Sequence, residues 1–269
     1  MDIRLIAMDL DGTLNNDQKQ ITPRTLSALM EAQHKGIRLA LASARPSPGL
    51  FKERDILQMR QFGGILMSYN GGRIVDAATG ETLFETAMEL NQAKAVLHRL
   101  KQLPVTPILD DGMQFYVSSL SGYKVDYECK NNRMEATAVG DLEAFLSFRP
   151  VKILMSVLPE EIRQVQEAIR AFLPEDLHVV QTAPFYLEVI PKTIHKGQGI
   201  TQICKALGLN TNQVIAFGDA ENDIHMLKAA GIGVSMGNAA DHVKEAADYV
   251  TATNNDDGIA AALSHFAII

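Results

Sequence analysis

Two acidic clusters in this sequence each follow a short apolar run. One cluster reads DLDGT and begins at Asp9, and the other reads GDAEND and begins at Gly218. An apolar run that stops at an acidic, glycine-containing turn is typical of a buried strand. If the two strands end at the same edge of one sheet, the clusters form an oxygen-rich site of the kind that binds Mg²⁺. The candidate metal ligands are Asp9, Asp11, Asp219 and Asp223.

Each cluster also has a simpler explanation when it is taken alone. The first could be an acidic turn that only bends the chain. The second could be the start of a helix, where acidic residues interact well with the helix dipole. Carboxylates two positions apart repel each other unless a cation or a shared proton compensates, so the metal hypothesis rests on both clusters together.

Two other residues have the chemistry to bind an anion. Ser43 follows a predicted strand, and its hydroxyl, with the backbone N–H groups that open the next helix, could form an anion pocket. A serine at this position is also an ordinary helix cap. Lys196 opens a predicted helix, where its charge opposes the helix dipole and a phosphate would suit it. The alternative is a solvent-exposed surface lysine.

The secondary-structure elements that must position these residues follow two different patterns along the chain. Strands and helices alternate at both ends of the chain, which predicts a parallel sheet with helical crossovers. Strands are predicted at Ile3–Met8, Ile37–Leu41, Gly64–Met67, Val214–Phe217, Ile232–Val234 and Tyr249–Val250. Helices are predicted from Thr22 to Gly36, at Gly197–Leu207, Asn222–Ala230 and Ala239–Ala246, and from Ile259.

The middle of the chain mixes hairpins with helices. Its helices are predicted at Asn91–Leu103 and Pro159–Phe172, and its strands at Val105–Leu109, Met113–Val117, Val151–Val157, Val179–Gln181 and Tyr186–Ile190. We therefore predict an α/β, Rossmann-like parallel-sheet core formed by residues 1–82 and 188–269, with an inserted α+β cap domain at residues 83–187.

Composition excludes several classes of protein. The chain has 269 residues, 46% of them apolar and 21% charged, and a formal net charge of −7, so a disordered chain is excluded. No apolar run approaches the roughly 18–20 residues that cross a bilayer. The first residues carry no secretory signal pattern. An acidic chain without a basic block is poorly suited to bind nucleic acid or an anionic membrane. We expect a cytoplasmic protein whose cysteines, Cys129 and Cys204, are free thiols.

The order and spacing of DLDGT at Asp9, then Ser43, Lys196 and GDAEND at Gly218, resemble the four motifs of the haloacid dehalogenase-like phosphohydrolases. The stretches NGG at residues 70–72 and GIGVSMGNA at 231–239 resemble the Cof-type sugar-phosphatase branch of that family. The resemblance covers the whole chain, and the insert has the place and size of that branch's cap. One residue departs from the pattern, because Ala44 stands where the branch commonly has glycine. Alanine still supplies an N–H, but a positive φ there would be strained.

The resemblance implies a Mg²⁺-dependent phosphatase that hydrolyses small phosphorylated metabolites such as sugar phosphates. Asp9 would be the nucleophile that forms an aspartyl-phosphate, and Asp11 the general acid and then the base. Mg²⁺ would be bound by Asp9, Asp219 and the backbone carbonyl of Asp11, with Asp223 acting directly or through water. Phosphate oxygens would be bound by Ser43, Lys196, Asn222 and the N–H groups of Leu10 and Ala44.

Two other functions stay open at this point. Related folds include sugar phosphomutases. The non-enzymatic alternative is a phospho-receiver or regulatory binding module, although a receiver would need neither Asp11 as an acid nor a cap domain. The cap would select the substrate, and Asp110, Asp111 and Tyr116 are candidates for that role. The sequence leaves open the roles of His195 and Arg45, the physiological substrate, and whether the protein is a monomer or a homodimer.

Overall fold

The computed structural model describes residues 2–269, which form two compact units. The first unit extends to Glu85 and resumes with His195–Ile269, and the second is Thr86–Ile194. Within the described residues, no helix has the length and apolar character needed to cross a membrane.

In chain order, the strands are β1 (Leu5–Asp9), β2 (Arg38–Ala42), β3 (Ile65–Ser68), β4 (Arg73–Asp76), β5 (Thr82–Glu85), β6 (Thr106–Asp110), β7 (Phe115–Val117), β8 (Ala136–Ala138), β9 (Ile153–Ser156), β10 (Leu177–Ala183), β11 (Tyr186–Pro191), β12 (Val214–Gly218), β13 (Ile232–Ser235) and β14 (Tyr249–Val250). The helices are α1 (Pro23–His34), α2 (Phe51–Ile56), α3 (Leu90–Leu100), α4 (Val125–Asn132), α5 (Leu142–Phe145), α6 (Ile162–Arg170), α7 (Lys196–Leu207), α8 (Ile224–Ala229), α9 (Asp241–Lys244) and α10 (Gly258–His265).

The first unit contains an eight-stranded sheet in the order β14-β13-β12-β1-β2-β3-β4-β5. The strands from β14 to β3 run parallel, and β4 and β5 are antiparallel additions at one side. Parallel strands end at a common edge, and β1 is paired in register with both β12 and β2. The loops that follow these three strands therefore meet at one edge of the sheet, as the α/β prediction requires.

Helices cover both faces of this sheet, which explains why its strands read as continuous apolar runs. On one face, Ile6 and Met8 pack in a cluster with residues of α1 and α10. On the other face, Leu5 and Ala7 pack with residues of α7 and α8. Because neighbouring residues of a strand point to opposite faces, both sets of side chains are buried.

The second unit contains a six-stranded sheet in the order β10-β11-β9-β6-β7-β8. Its pairings are antiparallel except for β7 with β8. Helices α3 and α6 pack on one face of this sheet, and α4 packs on the other. The predicted α+β character of the insert is confirmed. The predicted domain borders, after residues 82 and 187, fall inside β5 and β11.

Several local predictions were wrong. Helices α2, α4 and α5 and strand β8 were not predicted. Helix α4 gave little apolar pattern because its sequence, VDYECKNN, is mostly polar. The predicted helix Asn222–Ala230 is a 3₁₀ turn at Glu221–Asp223 followed by α8. Thr22 occupies the N-cap of α1, but its hydroxyl donates to Asp257 Oδ1 instead of capping the helix.

Candidate active site

Three carboxylates from two strand ends meet at the carboxyl edge of the first unit's sheet. One oxygen from each of Asp9, Asp219 and Asp223 lies within 4.8 Å of the others. Asp9 ends β1, and Asp219 and Asp223 follow β12. The side chain of Asp11 is not part of this cluster.

Lys196 lies against these carboxylates and is fully buried. Its Nζ donates to Asp9 Oδ1 at 2.5 Å and to Asp223 Oδ1 at 2.6 Å. A buried lysine at the start of α7 is therefore an internal ion partner, and the alternative of an exposed surface lysine is excluded. Two of its three protons are held by carboxylates that are 214 residues apart.

The charges around Lys196 do not balance. Burial raises the pKa of Asp9 to about 7, and the neighbouring charges of Asp223 and Asp219 oppose the attraction of Lys196. Burial also raises the pKa of Asp219. Burial alone would lower the pKa of Lys196, but Asp223 and Asp9 outweigh it and raise that pKa, so the ammonium stays protonated. Three carboxylates share one lysine, and a divalent cation would compensate the excess negative charge.

Asp223 has both of its oxygens engaged by the protein. Oδ1 accepts from Lys196, and Oδ2 accepts from the backbone N–H groups of Asp219 and Ala220 at 3.0 Å each. A Cβ at Gly218 would lie 2.4 Å from the Cβ of Asp223, so this tight turn needs glycine. Asp223 thus anchors the loop that presents Asp219.

The loop after β1 also contacts Asp219. Thr13 Oγ1 donates to Asp219 Oδ1 at 2.7 Å. Gly12 has a φ of +88°, and a Cβ there would lie 2.3 Å from Asp219 Oδ2. Asn238 Nδ2 donates to the carbonyl of Gly12 at 2.9 Å. Thr13 and Asn238 lie in the quoted motifs but were not predicted to have a role, because their contacts are made across the fold.

Asp11 is held by two cations. Lys19 Nζ lies 2.6 Å from Asp11 Oδ1, and Arg45 Nη2 lies 2.6 Å from Asp11 Oδ2. Partial burial would raise the pKa of Asp11, but the charges and hydrogen bonds of Arg45 and Lys19 lower it below its ordinary value. Arg45, whose role was open, therefore binds Asp11. Lys19 was missed, because a single lysine in a polar loop carries no motif.

The residues predicted to bind phosphate lie on the same edge of the sheet. Ser43 is buried after β2, and its Oγ accepts from the N–H of Arg45 at 3.2 Å. Ala44 is not among the described residues with positive φ, so alanine costs no backbone strain at this position. Leu10 is buried next to Asp9. Asn222, in the 3₁₀ turn after β12, donates from Nδ2 to Asn70 Oδ1 at 3.0 Å.

The remaining candidates have local structural partners. His195 is the N-cap of α7, and its Nδ1 accepts from the N–H of Gln198 at 3.1 Å. In the second unit, Asp111 accepts from Tyr116 OH at 2.8 Å and from backbone N–H groups of its own turn. Asp110 is buried and accepts from the N–H of Gly112. These contacts organise the β6–β7 hairpin.

Comparison with known proteins identifies the family. A family model described as haloacid dehalogenase-like hydrolase matches residues 6–263. The chain belongs to the haloacid dehalogenase-like hydrolases. As predicted, it resembles their Cof-type branch. Several of its relatives are named phosphatases, and the chain is a phosphoric monoester hydrolase.

Individual relatives support the same assignment. The chain is 30% identical over 269 residues to 5-amino-6-(5-phospho-D-ribitylamino)uracil phosphatase of Bacillus subtilis strain 168, covering 100% of this chain and 97% of that protein. A haloacid dehalogenase-like hydrolase from Bacteroides thetaiotaomicron matches with a TM-score of 0.92 and 32% identity, over 98% of this chain and 99% of the other. A HAD subclass IIB sugar phosphatase matches with a TM-score of 0.79 and 27% identity, over 99% and 100% of the two chains.

The residues of this haloacid dehalogenase-like hydrolase fit a hard divalent cation. The three clustered groups offer carboxylate oxygens, the ligands that Mg²⁺ prefers. The absence of a side chain at Gly12 lets the backbone after Asp11 approach Asp219 closely.

Proposed function

We propose that this protein is a Mg²⁺-dependent phosphatase that hydrolyses small phosphorylated metabolites, in particular sugar phosphates, through a phosphoryl group carried on Asp9. The observation that carries the proposal is the fully buried Lys196 between Asp9 and Asp223, with Asp219 close by. A lysine in this position holds the nucleophile and can contact the transferred phosphoryl group.

The metal would be held by Asp9, Asp219 and the backbone carbonyl of Asp11. Asp223 would act through water, because Lys196 and two backbone N–H groups already use its oxygens. A bound Mg²⁺ supplies positive charge that neutralises these carboxylates and the phosphoryl oxygens.

The chain's own residues carry the two chemical steps. In the first step, an oxygen of Asp9 attacks phosphorus, the ester P–O bond breaks, and the leaving oxygen takes a proton from Asp11. In the second step, Asp11 takes a proton from water, and the water oxygen attacks phosphorus. The bond between phosphorus and Asp9 then breaks, so inorganic phosphate leaves and Asp9 is restored.

Asp11 must change its contacts during this cycle. Both of its oxygens are paired with cations, which favours the ionised carboxylate and suits the base of the second step. To act as the acid, Asp11 must carry a proton and release one of these pairs. Lys19 is the more exposed partner and is the one we propose to move.

The phosphate would be bound by side chains and backbone groups at the carboxyl edge of the sheet. The proposed set is Ser43, Lys196, Asn222 and the N–H groups of Leu10 and Ala44. Each is at a strand end or helix start of the first unit, where N–H groups favour anions. Phosphate monoesters hydrolyse extremely slowly without a catalyst, so several such contacts are needed.

The substrate class comes from relatives and therefore remains a proposal. One relative is named for a phosphorylated ribitylaminouracil, another for phosphoglycolate, and a structural neighbour for sugar phosphates. We propose that the second unit is the cap that selects the part of the substrate beyond the phosphate. The cytoplasmic location remains a prediction from the sequence.

A phosphate-release screen over sugar, polyol and nucleotide phosphates tests the function. We expect release that needs Mg²⁺, stops with EDTA, and is absent in Asp9→Asn. Release without an added sugar acceptor separates a phosphatase from a phosphomutase. Full activity in metal-free buffer would overturn the metal assignment, and a stable phosphorylated wild-type protein without turnover would favour a receiver module.

A further inference from the structure

The turn between β3 and β4 has an unusual backbone. Tyr69, Asn70 and Gly71 have φ values of 52°, 56° and 96°, three consecutive residues with positive φ. Glycine adopts such angles freely and asparagine tolerates them, but tyrosine does not. The strained backbone of Tyr69 persists only where the surroundings impose it.

The first segment that contacts this strained turn is the loop that carries Ser43. The N–H of Asn70 donates to the carbonyl of Ser43 at 2.8 Å, and the N–H of Tyr69 donates to the carbonyl of Arg45 at 3.1 Å. The strained turn is therefore bonded to the backbone on both sides of Ala44. These bonds fix the direction of the segment whose hydroxyl and N–H groups are proposed to bind phosphate.

The second contact is made by the side chain of Asn70. Its Oδ1 accepts from Nδ2 of Asn222 at 3.0 Å, across 152 residues of sequence. The hydrogen bond holds one amide proton of Asn222 and so determines which way its carboxamide faces. The side chain of Asn222 is exposed, and it makes this hydrogen bond at the same edge as the acidic cluster.

The third contact is made by Gly71 with the start of α7. A Cβ at Gly71 would lie 2.9 Å from the carbonyl oxygen of His195 and 3.2 Å from the backbone of Gly199. These two residues flank Lys196 in the first turn of α7. The turn thus touches the segments of three of the proposed phosphate-binding residues: Ser43, Asn222 and Lys196.

We propose that Asn70 is a positioning residue that orients Asn222, and with it the phosphate pocket, while its left-handed backbone joins the pocket's three segments. The inference rests on the proposed function, since it gives a task to groups that we propose to bind phosphate. Asparagine suits both demands, because it tolerates a left-handed backbone and supplies a side-chain acceptor.

The test is a double-mutant cycle of Asn70→Gly with Asn222→Ala. Glycine accepts the left-handed backbone, so Asn70→Gly removes the side chain and leaves the turn intact. The readouts are kcat and KM for a substrate from the phosphate-release screen, and the Kd of inorganic phosphate by calorimetry in Mg²⁺ buffer. We expect Asn70→Gly to weaken phosphate binding by about 2- to 10-fold, the scale of one hydrogen bond. In the Asn222→Ala background it should have no further effect.

Gln58→Gly is the matched control, because Gln58 also has a positive φ of 51° but is exposed, and its backbone hydrogen bonds are local ones to Asp55 and Gln61, away from the proposed phosphate-binding residues. It should leave kcat, KM and the phosphate Kd unchanged. Equal losses from Asn70→Gly in both backgrounds, or no loss in either, would overturn the inference alone. A wild-type protein that neither releases nor binds phosphate would overturn the proposed function itself, and the inference with it.

Discussion

Thr13 Oγ1 donates a 2.7 Å hydrogen bond to Asp219 Oδ1, although 206 residues separate the two in the chain. The bond joins the loop after β1 to the loop after β12. It leaves Oδ2 of Asp219 against the backbone of Gly12. Groups that hydrogen-bond a metal ligand fix its orientation, and their loss commonly weakens metal affinity by about 10–100-fold.

We therefore expect Thr13→Val to weaken Mg²⁺ binding by about 10-fold or more, because Asp219 loses the bond that orients it. Thr13→Ser keeps the hydroxyl and should stay near wild type. Calorimetry with Mg²⁺ alone and the Mg²⁺ dependence of phosphate release both measure the effect. Wild-type Mg²⁺ affinity in Thr13→Val would show that the hydrogen bond from Thr13 to Asp219 does not contribute to metal binding.

The sequence was sufficient to predict the parallel sheet and the acidic clusters at its carboxyl edge, for a physical reason. Leu5 and Ile6 face opposite layers of helices, so β1 had to be apolar throughout, and its end was marked by the charge of Asp9. The same pattern marked β12. Such strands can be recognised from the sequence alone, because a strand that is buried on both faces reads as a continuous apolar run.

The contacts of individual side chains could not be predicted in this way. The sequence shows that Lys19 and Arg45 are basic, but not that both reach Asp11. Likewise Asn70 was noted only as part of the NGG stretch, and its bond to Asn222 depends on the packing of β3 beside β2 and of β12 beside β1. Such pairs depend on strand order, which a single sequence does not state.

Metal-free protein should lose stability with rising pH because of Asp9. Its pKa is about 7 in the folded protein and 3.8 in an ordinary setting. Between about pH 4 and pH 7 the folded state therefore keeps a proton that the unfolded state has lost, so the free energy of unfolding falls as pH rises, by at most about 1.4 kcal/mol per pH unit. Asp9→Asn carries no such proton.

Urea unfolding of both proteins in EDTA buffer, at a series of pH values, isolates this effect. The stability of wild type minus that of Asp9→Asn should decrease from about pH 4 to about pH 7. Titratable groups that the two proteins share and that lie away from Asp9 cancel in the difference. Mg²⁺ should restore wild-type stability more at high pH, where the carboxylates are ionised. A difference that is constant over this range would contradict the raised pKa of Asp9.

The second unit holds its own buried ion pair. Lys152 Nζ lies 2.8 Å from Glu188 Oε1, and their side chains are only 5% and 7% exposed. Lys152→Met should destabilise the protein by about 3–5 kcal/mol, because it leaves a buried carboxylate without its cation. Lys152→Met/Glu188→Leu should be less destabilised than Lys152→Met alone.

The control for that pair is Lys130 with Asp126 on α4, which lie 2.6 Å apart but are 75% and 77% exposed. Lys130→Met should change stability by less than about 1 kcal/mol, since exposed pairs contribute little. Urea unfolding followed by circular dichroism measures all four proteins. Equal losses of stability in Lys152→Met and Lys130→Met would show that burial does not increase the contribution of the Lys152–Glu188 pair to stability.

The variant Asp11→Asn distinguishes the role of Asp9 from that of Asp11. Asparagine keeps the size of the side chain and the backbone carbonyl offered to the metal, but it cannot transfer a proton. An aryl phosphate has a good leaving group that needs little protonation, so Asp9 can still be phosphorylated. Hydrolysis of that intermediate needs a base, and its loss slows the step by about 10²–10⁴-fold. Asp11→Asn should therefore accumulate one phosphoryl group, about 80 Da, on Asp9.

Intact-protein mass spectrometry after a rapid acid quench measures this phosphoryl adduct. Asp9→Asn/Asp11→Asn is the control, and an adduct that persists there would show that Asp9 is not the nucleophile. Near-normal turnover of Asp11→Asn without any adduct would remove Asp11 from the acid–base role.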